Sequence, residues 1–237
     1  MNLVDRKFRL PRIWSNNELK KIAHIFDGDI VNVSGWQDKD KEGDVYKNYF
    51  TNKSSYTITN YKTEAFGFQG MEGEIYLDLE KELPNELVGK FDVVYNHTTL
   101  EHVFEIEKAF DNLCLMSKDV VILVTPFLQQ MHTDYGDYWR MTPLAIERLF
   151  IKKGFKLIHL SFNDEPRSSV YIFSVACKKI EKWQDKIPNY KKILSNKKAY
   201  DGFKNFAGSN ALPNVAYSAK SIYFALISKI KNQLINK

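Results

Sequence analysis

Small and polar residues directly follow four short apolar runs in the first half of this 237-residue sequence. Ser34 and Gly35 follow the first run, and a glycine lets the backbone approach a ligand closely. Asn60, 25 residues after Gly35, is placed to reach a ribose hydroxyl. Asp78 can accept a hydrogen bond from a hydroxyl or an amine, and Asn96 follows the fourth run. If the runs are parallel strands, these residues share the sheet edge where such sheets bind ligands.

His132 and Arg140 lie in a polar segment after the fifth apolar run. An unperturbed imidazole titrates near neutral pH, so His132 is the predicted general base. The alternative is a loop histidine that bonds to a backbone carbonyl. The planar fork of Arg140 can hold a phosphate or carboxylate of an acceptor. It can equally pair with Asp134 or Asp137 and fix the loop, and the sequence leaves both roles open.

Three residues of types that can bind metals follow the fourth run, namely His97, Glu101 and His102. Histidine and glutamate bind zinc, but the spacing does not match a His-x-x-x-His helix face and no cysteine lies near. We therefore predict no metal. His102 and Glu101 are instead expected to anchor the helix that follows.

Short apolar runs and helical stretches alternate along the chain. Seven runs rich in β-branched or aromatic residues predict strands at Ile30–Val33, Tyr56–Thr59, Glu74–Leu79, Phe91–Tyr95, Val120–Thr125, Phe155–Leu160 and Val170–Cys177. Helical spacing predicts helices at Thr99–Leu115 and Pro143–Lys153. This order predicts an α/β fold with a doubly wound, mostly parallel sheet. The last two runs, joined by a polar stretch, predict a hairpin at the sheet edge.

Both ends of the chain carry helix signals. Ser15-Asn16-Asn17-Glu18 matches a capping box, which predicts a helix that begins at Ser15 and ends at Gly28. After residue 178 the pattern becomes polar and irregular, so we predict a domain over 1–178 and a basic, partly helical extension over 179–237. A final helix over Ala216–Ile235 has an apolar stripe. It is expected to pack on its own core, to form a homodimer or to contact a membrane surface.

The charge and cysteine content narrow the function classes. The net charge is +5, but the chain from residue 181 onward carries +8 and the preceding part −3. A nucleic-acid binder would carry its basic patch on the folded core, so we predict no nucleic-acid partner. Two cysteines, the lack of a signal-peptide pattern and the lack of a long apolar segment predict a cytoplasmic protein.

Several stretches together resemble one family. Phe91–Val103 begins with Phe-Asp and closes on Leu-Glu-His-Val, and it resembles the fourth-strand motif of class I, S-adenosylmethionine-dependent methyltransferases. Ala109–Leu113 resembles their following helix, and Val124–Phe127 resembles the end of their fifth strand. The segment from His132 to Pro143 resembles a subset with a His followed by Asp-Tyr-Trp-Arg and a Thr-Pro helix start. The resemblance covers roughly residues 29–178.

This resemblance implies a seven-stranded Rossmann-like sheet and S-adenosylmethionine as the cofactor. It places the cofactor at the residues after the first four strands, namely Ser34, Gly35, Asn60, Asp78 and Asn96. It places a small-molecule acceptor over Pro126–Arg140, with Tyr135, Tyr138 and Arg140 as binding residues. The subset also suggests O-methylation of a sugar or phosphorylated metabolite in surface-polysaccharide biosynthesis, by analogy of fold.

Two departures from the family pattern favour a second hypothesis. The first loop, which usually has two or three glycines, is reduced to Ser34-Gly35-Trp36. The acidic residue expected after the second strand is Asn60, a weaker acceptor than a carboxylate. The alternative function is therefore a non-catalytic scaffold or partner that kept the fold. An NAD-dependent oxidoreductase is disfavoured because the chain lacks Gly-x-Gly-x-x-Gly.

Overall fold

The computed structural model describes residues 4–62, 67–133, 136–163, 165–183, 185–187, 207–209, 211–212 and 223. Its elements are, in chain order, α1 (Arg9–Ile22), β1 (Gly28–Val33), β2 (Lys53–Asn60), β3 (Glu74–Tyr76), β4 (Phe91–His97), α2 (Ile106–Met116), β5 (Ser117–Leu128), α3 (Pro143–Lys152), β6 (Lys156–Phe162), β7 (Val170–Cys177) and α4 (Ile180–Trp183). Short 3-10 turns lie at Ala23–Ile25, Tyr46–Asn48, Asn85–Leu87 and Leu100–His102.

The strands form one seven-stranded sheet in the order β3-β2-β1-β4-β5-β7-β6. The first five strands pair in parallel, and β7 is antiparallel to both β5 and β6. The predicted doubly wound, mostly parallel sheet is confirmed. The chain runs outward in one direction from β1 and in the other from β4, so the strand order reverses between these two central strands. The predicted hairpin is β6 with β7, and β6 is its edge strand.

Successive strand side chains point to opposite faces of the sheet, and a hydrophobic cluster covers each face. On β4, Val94 packs in a cluster with Phe110 of α2 and Phe150 of α3. Val93 points to the other face and belongs to a second cluster that includes Leu19 of α1. Continuous apolar strands are therefore required at the centre of the sheet.

The predicted start of α1 at Ser15 is wrong. The helix begins at Arg9, and the Asp5 carboxylate accepts hydrogen bonds from the backbone N–H groups just before it, those of residues 7 and 8. Ser15 lies inside the helix, and its hydroxyl donates to the carbonyl of Arg12 and lies 2.9 Å from Nε2 of His97. The side chains that match a capping box are thus used in contacts with the sheet.

The single helix predicted over Thr99–Leu115 is divided into two elements. A 3-10 turn follows β4, and α2 begins only at Ile106. The Thr-Pro start of α3 is confirmed, because the Thr142 hydroxyl accepts from the backbone N–H of Ala145 at 3.2 Å. These turns bring Glu101 and His102 to the carboxyl edge of the sheet.

Packing continues past residue 178. Trp183 of α4 is buried, contacts Phe26 and donates its indole N–H to Asp119 at 2.8 Å. Ile187 is also buried in this cluster. The division into a domain over 1–178 and an extension over 179–237 stays a prediction. The helix predicted over 216–235 lies outside the described residues, apart from Tyr223. In the described part of the chain, no helix combines the length and apolar character needed to cross a bilayer.

Candidate active site

The reversal of strand order places the ends of β1 and β4 side by side, with Val33 opposite Asn96. The Asn96 amide donates to the carbonyl of Val33 at 2.9 Å. Its side chain is fully buried, and its Oδ1 has no hydrogen-bond partner among the described residues. A buried oxygen without a partner is costly unless a ligand or water donates to it. Asn96 therefore fits its predicted role at a ligand site.

The loop after β1 turns sharply, because Ser34 and Trp36 both have left-handed backbone conformations (φ 57° and 47°). The loop is bonded to β2: the N–H groups of Ser34 and Gly35 donate to Oγ1 and to the carbonyl of Thr59, at 3.3 and 3.2 Å. A Cβ atom at Gly35 would lie 2.5 Å from Nδ2 of Asn32. A side chain at position 35 would therefore displace the buried side chain of Asn32 in β1.

Asn60, predicted to reach a ribose hydroxyl, holds the same loop in place. Its Oδ1 accepts from the N–H of Trp36 at 2.7 Å, and its amide donates to the carbonyl of Trp36 and to Glu74, at 3.1 and 2.5 Å. The side chain is buried. Since both amide hydrogens are engaged, this conformation does not support a direct contact between Asn60 and a ligand.

Asp78 lies just beyond β3 at the same edge and is half-buried. One carboxylate oxygen accepts from the N–H of Glu80 at 2.9 Å. Tyr61, which follows β2, lies close to it: burial and then the negative charge of Asp78 raise the pKa of Tyr61. A partly accessible carboxylate between two strand ends fits the predicted acceptor of a hydroxyl or amine.

A half-buried arginine lies on the α1 side of this edge. Arg12 donates to Oγ1 of Thr98, directly after β4, at 3.3 Å. Burial acts to lower the pKa of Arg12, but the nearby hydroxyls of Tyr46 and Tyr171 outweigh it and raise this pKa. Among the described residues, Arg12 forms no ion pair with a carboxylate. We call the group of neighbouring side chains of Arg12, Tyr46, His97 and Tyr171 the arginine pocket.

The arginine pocket is electropositive. The positive charge of Arg12, followed by burial and the charge of Arg9, lowers the pKa of Lys41. Burial, followed by the charge of Arg12, lowers the pKa of His97 well below its usual value, so this imidazole is neutral. His97 is held between Ser15 and Thr98, each at 2.9 Å. A group of cations this close favours a negatively charged ligand.

His132 lies in the loop after β5, as predicted. Its Nδ1 and its backbone N both lie 3.0 Å from Oδ2 of Asp137, and its ring is 5.7 Å from that of Phe8. Asp137 thus places a carboxylate beside the imidazole, an arrangement also found where a histidine acts as a general base. Whether His132 acts as that base stays a prediction.

Arg140 has the loop-fixing role that the sequence left open. It forms a two-point ion pair with Asp137, and its remaining N–H groups donate to the carbonyls of Gln129, Gln130 and Trp139 at 2.8 to 3.2 Å. Hydrogen bonding from Arg140 is the main reason why the pKa of Asp137 falls to about 2. All five donors are engaged, so this arrangement does not support acceptor binding by Arg140.

One of the two tyrosines predicted to bind the acceptor, Tyr138, lies among the described residues. Tyr138 is half-exposed, packs edge-on against Phe104 and donates its backbone N–H to the carbonyl of Glu101 at 2.7 Å. The adjacent Trp139 is 38% exposed, and its indole N–H donates to the carbonyl of Phe104 at 3.1 Å. Tyr135 lies outside the described residues.

Glu101 and His102 form a second buried group beneath this loop. Burial raises the pKa of the Glu101 carboxyl to about 8, and its Oε2 has no hydrogen-bond partner in the described part of the chain. His102 donates from Nδ1 to the carbonyl of Gly136 at 2.6 Å. Its Nε2 lies 3.7 Å from Oε1 of Glu101. His102 therefore contacts the loop after β5, and the predicted anchoring of the helix after β4 stays a prediction.

Sequence reasoning missed the contribution of α1 to this site. Arg12 and Ser15 both reach the end of β4, far along the chain. The available signal was their spacing with Leu19, because residues three and four apart share a helix face. The incorrect helix start at Ser15 removed Arg12 from that face.

No protein-family model matches the sequence, and no curated protein does. Solved structures do match. A provisionally assigned methyltransferase from Bacillus halodurans C-125 aligns with a TM-score of 0.52 and 12% identity, over 68% of this chain and 97% of its own. The methyltransferase CalH, in complex with S-adenosylhomocysteine, aligns with a TM-score of 0.50 and 16% identity, over 70% of this chain and 57% of its own.

A third match is the provisionally assigned methyltransferase in complex with the Haloferax volcanii Trm112 activator. It has a TM-score of 0.52 and 8% identity, over 70% of this chain and 90% of its own. The fold is that of class I methyltransferases. The predicted seven-stranded fold is thereby confirmed. In open α/β sheets a ligand site is expected at the carboxyl ends of the strands where the strand order reverses, which here are the ends of β1 and β4.

Proposed function

We propose that this chain is an S-adenosylmethionine-dependent methyltransferase that methylates a hydroxyl group of a small molecule, a sugar or a phosphorylated metabolite. The observation that carries the proposal is the buried Oδ1 of Asn96, which lacks a partner among the described residues at the reversal point of the sheet. The complex of CalH with S-adenosylhomocysteine supports the choice of cofactor. The half-buried carboxylate of Asp78 supplies a second acceptor at this edge.

The reaction needs alignment more than it needs acid–base chemistry. S-adenosylmethionine supplies a methyl group bonded to a positively charged sulfur. His132 would take the proton of the acceptor hydroxyl whose oxygen receives this methyl group, with S-adenosylhomocysteine as the other product. Asp137 is the carboxylate that faces this imidazole, with its Oδ2 3.0 Å from Nδ1 of His132. Tyr138 is exposed beside this loop and is proposed to line the acceptor site.

The arginine pocket supports an acceptor that carries a phosphate or carboxylate. Arg12 is a cation held at the end of β4 with Lys41 and Arg9 nearby, and no carboxylate pairs with it among the described residues. Bringing a cation out of water is costly, and an anionic ligand offsets that cost. A guanidinium matches the geometry of both anions. This charge favours a phosphorylated sugar over a neutral one, and a role in surface-polysaccharide biosynthesis is our proposed context.

The test is the formation of S-adenosylhomocysteine from S-adenosylmethionine with matched acceptors, sugars with and without a phosphate. We expect turnover with a phosphorylated acceptor. In Arg12→Gln its KM should rise at least tenfold (about 1.4 kcal/mol) with a smaller change in kcat. Arg148→Gln, which removes an exposed arginine of α3, is the matched control. Equal turnover of neutral and phosphorylated acceptors would contradict the assigned role of the arginine pocket.

The second candidate function is a non-catalytic protein with this fold. It is favoured by the loop after β1, where the N–H groups of Ser34, Gly35 and Trp36 are all bonded to β2 or to its last residue, Asn60. These donors are therefore used within the protein. Binding of S-adenosylhomocysteine without turnover of any acceptor would support this candidate over the enzyme.

We infer a cytoplasmic location from the cysteines. Cys114 and Cys177 are buried free thiols, and burial raises the pKa of each to about 12. Unreactive, unpaired thiols suit a reducing compartment. Fractionation of cells that express a tagged full-length chain tests this, and recovery from an oxidising compartment would contradict it.

A further inference from the structure

Three metal-ligand side chains meet beneath the loop after β5. Glu101 and His102 follow β4, and His132 comes from the loop after β5. One ligand atom of each lies within 4.8 Å of the others. The two imidazole rings are 5.2 Å apart and steeply inclined to each other. We call these residues the Glu-His-His cluster. Sequence spacing could not reveal it, because its third member lies thirty residues past the second.

The surrounding contacts orient the members of the cluster. His102 donates from Nδ1 to the carbonyl of Gly136, which places the lone pair on Nε2, the nitrogen that faces Glu101. Asp137 lies 3.0 Å from Nδ1 of His132. A carbonyl or carboxylate beside the second ring nitrogen is the usual outer support of a metal-binding histidine. Both histidines of the cluster have one.

Among the described residues, no lysine or arginine forms an ion pair with Glu101. The charge of Asp137 is matched by its two-point ion pair with Arg140. Glu101 is 2% exposed, and its Oε2 has no hydrogen-bond partner among the described residues. A buried carboxyl with one unpartnered oxygen is destabilised unless it binds a proton or a cation. A divalent ion would supply both the charge and the partner.

We propose that the Glu-His-His cluster binds one divalent transition-metal ion and leaves further coordination positions open toward the acceptor side of the site. Two imidazoles and one carboxylate suit Zn²⁺, Fe²⁺ or Co²⁺, whereas Mg²⁺ and Ca²⁺ prefer oxygen ligands. Open positions allow an acceptor oxygen to coordinate, and that use of the ion rests on the proposed function. His132 cannot be a ligand and the free base at once, so the ion would replace it in activating the hydroxyl.

The test is titration of the chelator-treated full-length chain with Co²⁺, followed by visible d–d absorption and by calorimetry. We expect one ion per chain, and no comparable binding of Mg²⁺. His132→Ala and the isosteric Glu101→Gln should each weaken Co²⁺ binding at least tenfold. His24→Ala, which removes an exposed histidine of the turn after α1, should leave it unchanged.

Two results would overturn the proposal: no stoichiometric Co²⁺ binding by the wild-type chain, or unchanged binding in both variants. Thermal unfolding of each variant shows whether it is folded, and the wild-type titration decides the question even if a variant is not. Calorimetry with S-adenosylhomocysteine on the same samples separates the two proposals. In the wild-type chain, absence of S-adenosylhomocysteine binding alone would contradict the proposed function, and absence of Co²⁺ binding alone would contradict the metal site.

Discussion

One buried carboxylate, that of Glu18, contributes to the attachment of α1 to the sheet. It accepts from the Ser161 hydroxyl at 2.8 Å, lies 3.5 Å from His159 and pairs with Lys21. Burial opposes ionisation, but hydrogen bonds from His159, Lys21 and Ser161 outweigh it and lower the pKa of Glu18 from 4.5 to about 2. This difference corresponds to about 3 kcal/mol of folding stability. We predict that Glu18→Gln lowers the free energy of unfolding by about 2 to 3 kcal/mol at pH 7.

The stability that the Glu18 carboxylate contributes should depend on pH. Because the pKa of Glu18 is lower in the folded state, its contribution is complete above about pH 4.5 and is lost as the pH falls through about 2. Urea unfolding of both proteins between pH 7 and pH 2 measures the difference, which should shrink toward zero at the acidic end. Glu86→Gln, at an exposed position, is the control. A difference below about 0.5 kcal/mol at pH 7, or one that does not change with pH, would refute the reasoning.

The remaining predictions concern the core and the site loops. Trp183→Phe removes the indole donor to Asp119, and urea unfolding should show a loss of about 2 kcal/mol. Gly35→Ala places a Cβ atom 2.5 Å from Nδ2 of Asn32, so calorimetry should show at least tenfold (about 1.4 kcal/mol) weaker binding of S-adenosylhomocysteine; unchanged affinity would separate this loop from the cofactor. Arg140→Met leaves a buried carboxylate without its cation, and thermal unfolding should show a loss of about 2 to 3 kcal/mol; an unchanged midpoint would contradict the loop-fixing role.

The sheet could be predicted from sequence because strand signals are local. Apolar runs with turn residues between them mark each strand, and their alternation with helices leaves few topologies. The start of α1 could not be predicted, because Ser15 and Glu18 match a capping box but contact His97 and Ser161, which are distant in sequence. Only the packed chain decides between those uses of the same side chains.

The sequence predicted the positions of the site residues better than it predicted their hydrogen-bond partners. Residues at the end of a parallel strand do lie at the carboxyl edge of the sheet, as Asn96 and Asn60 show. Asn60, however, bonds to the backbone of Trp36, and the pairing of Arg140 with Asp137 is one of two roles that the sequence left open. Hydrogen-bond partners depend on loop conformation, which the spacing of residues does not encode.

Calorimetric titration of S-adenosylhomocysteine into the folded full-length chain tests the proposed methyltransferase function most directly. We predict one site per chain with a Kd of about 1 to 100 µM, weakened at least tenfold in Asp78→Ala. Glu86→Gln, already made as the control for Glu18, should bind as the wild type does. If the folded wild-type chain releases no binding heat and shows no thermal stabilisation by the ligand, the cofactor assignment is contradicted.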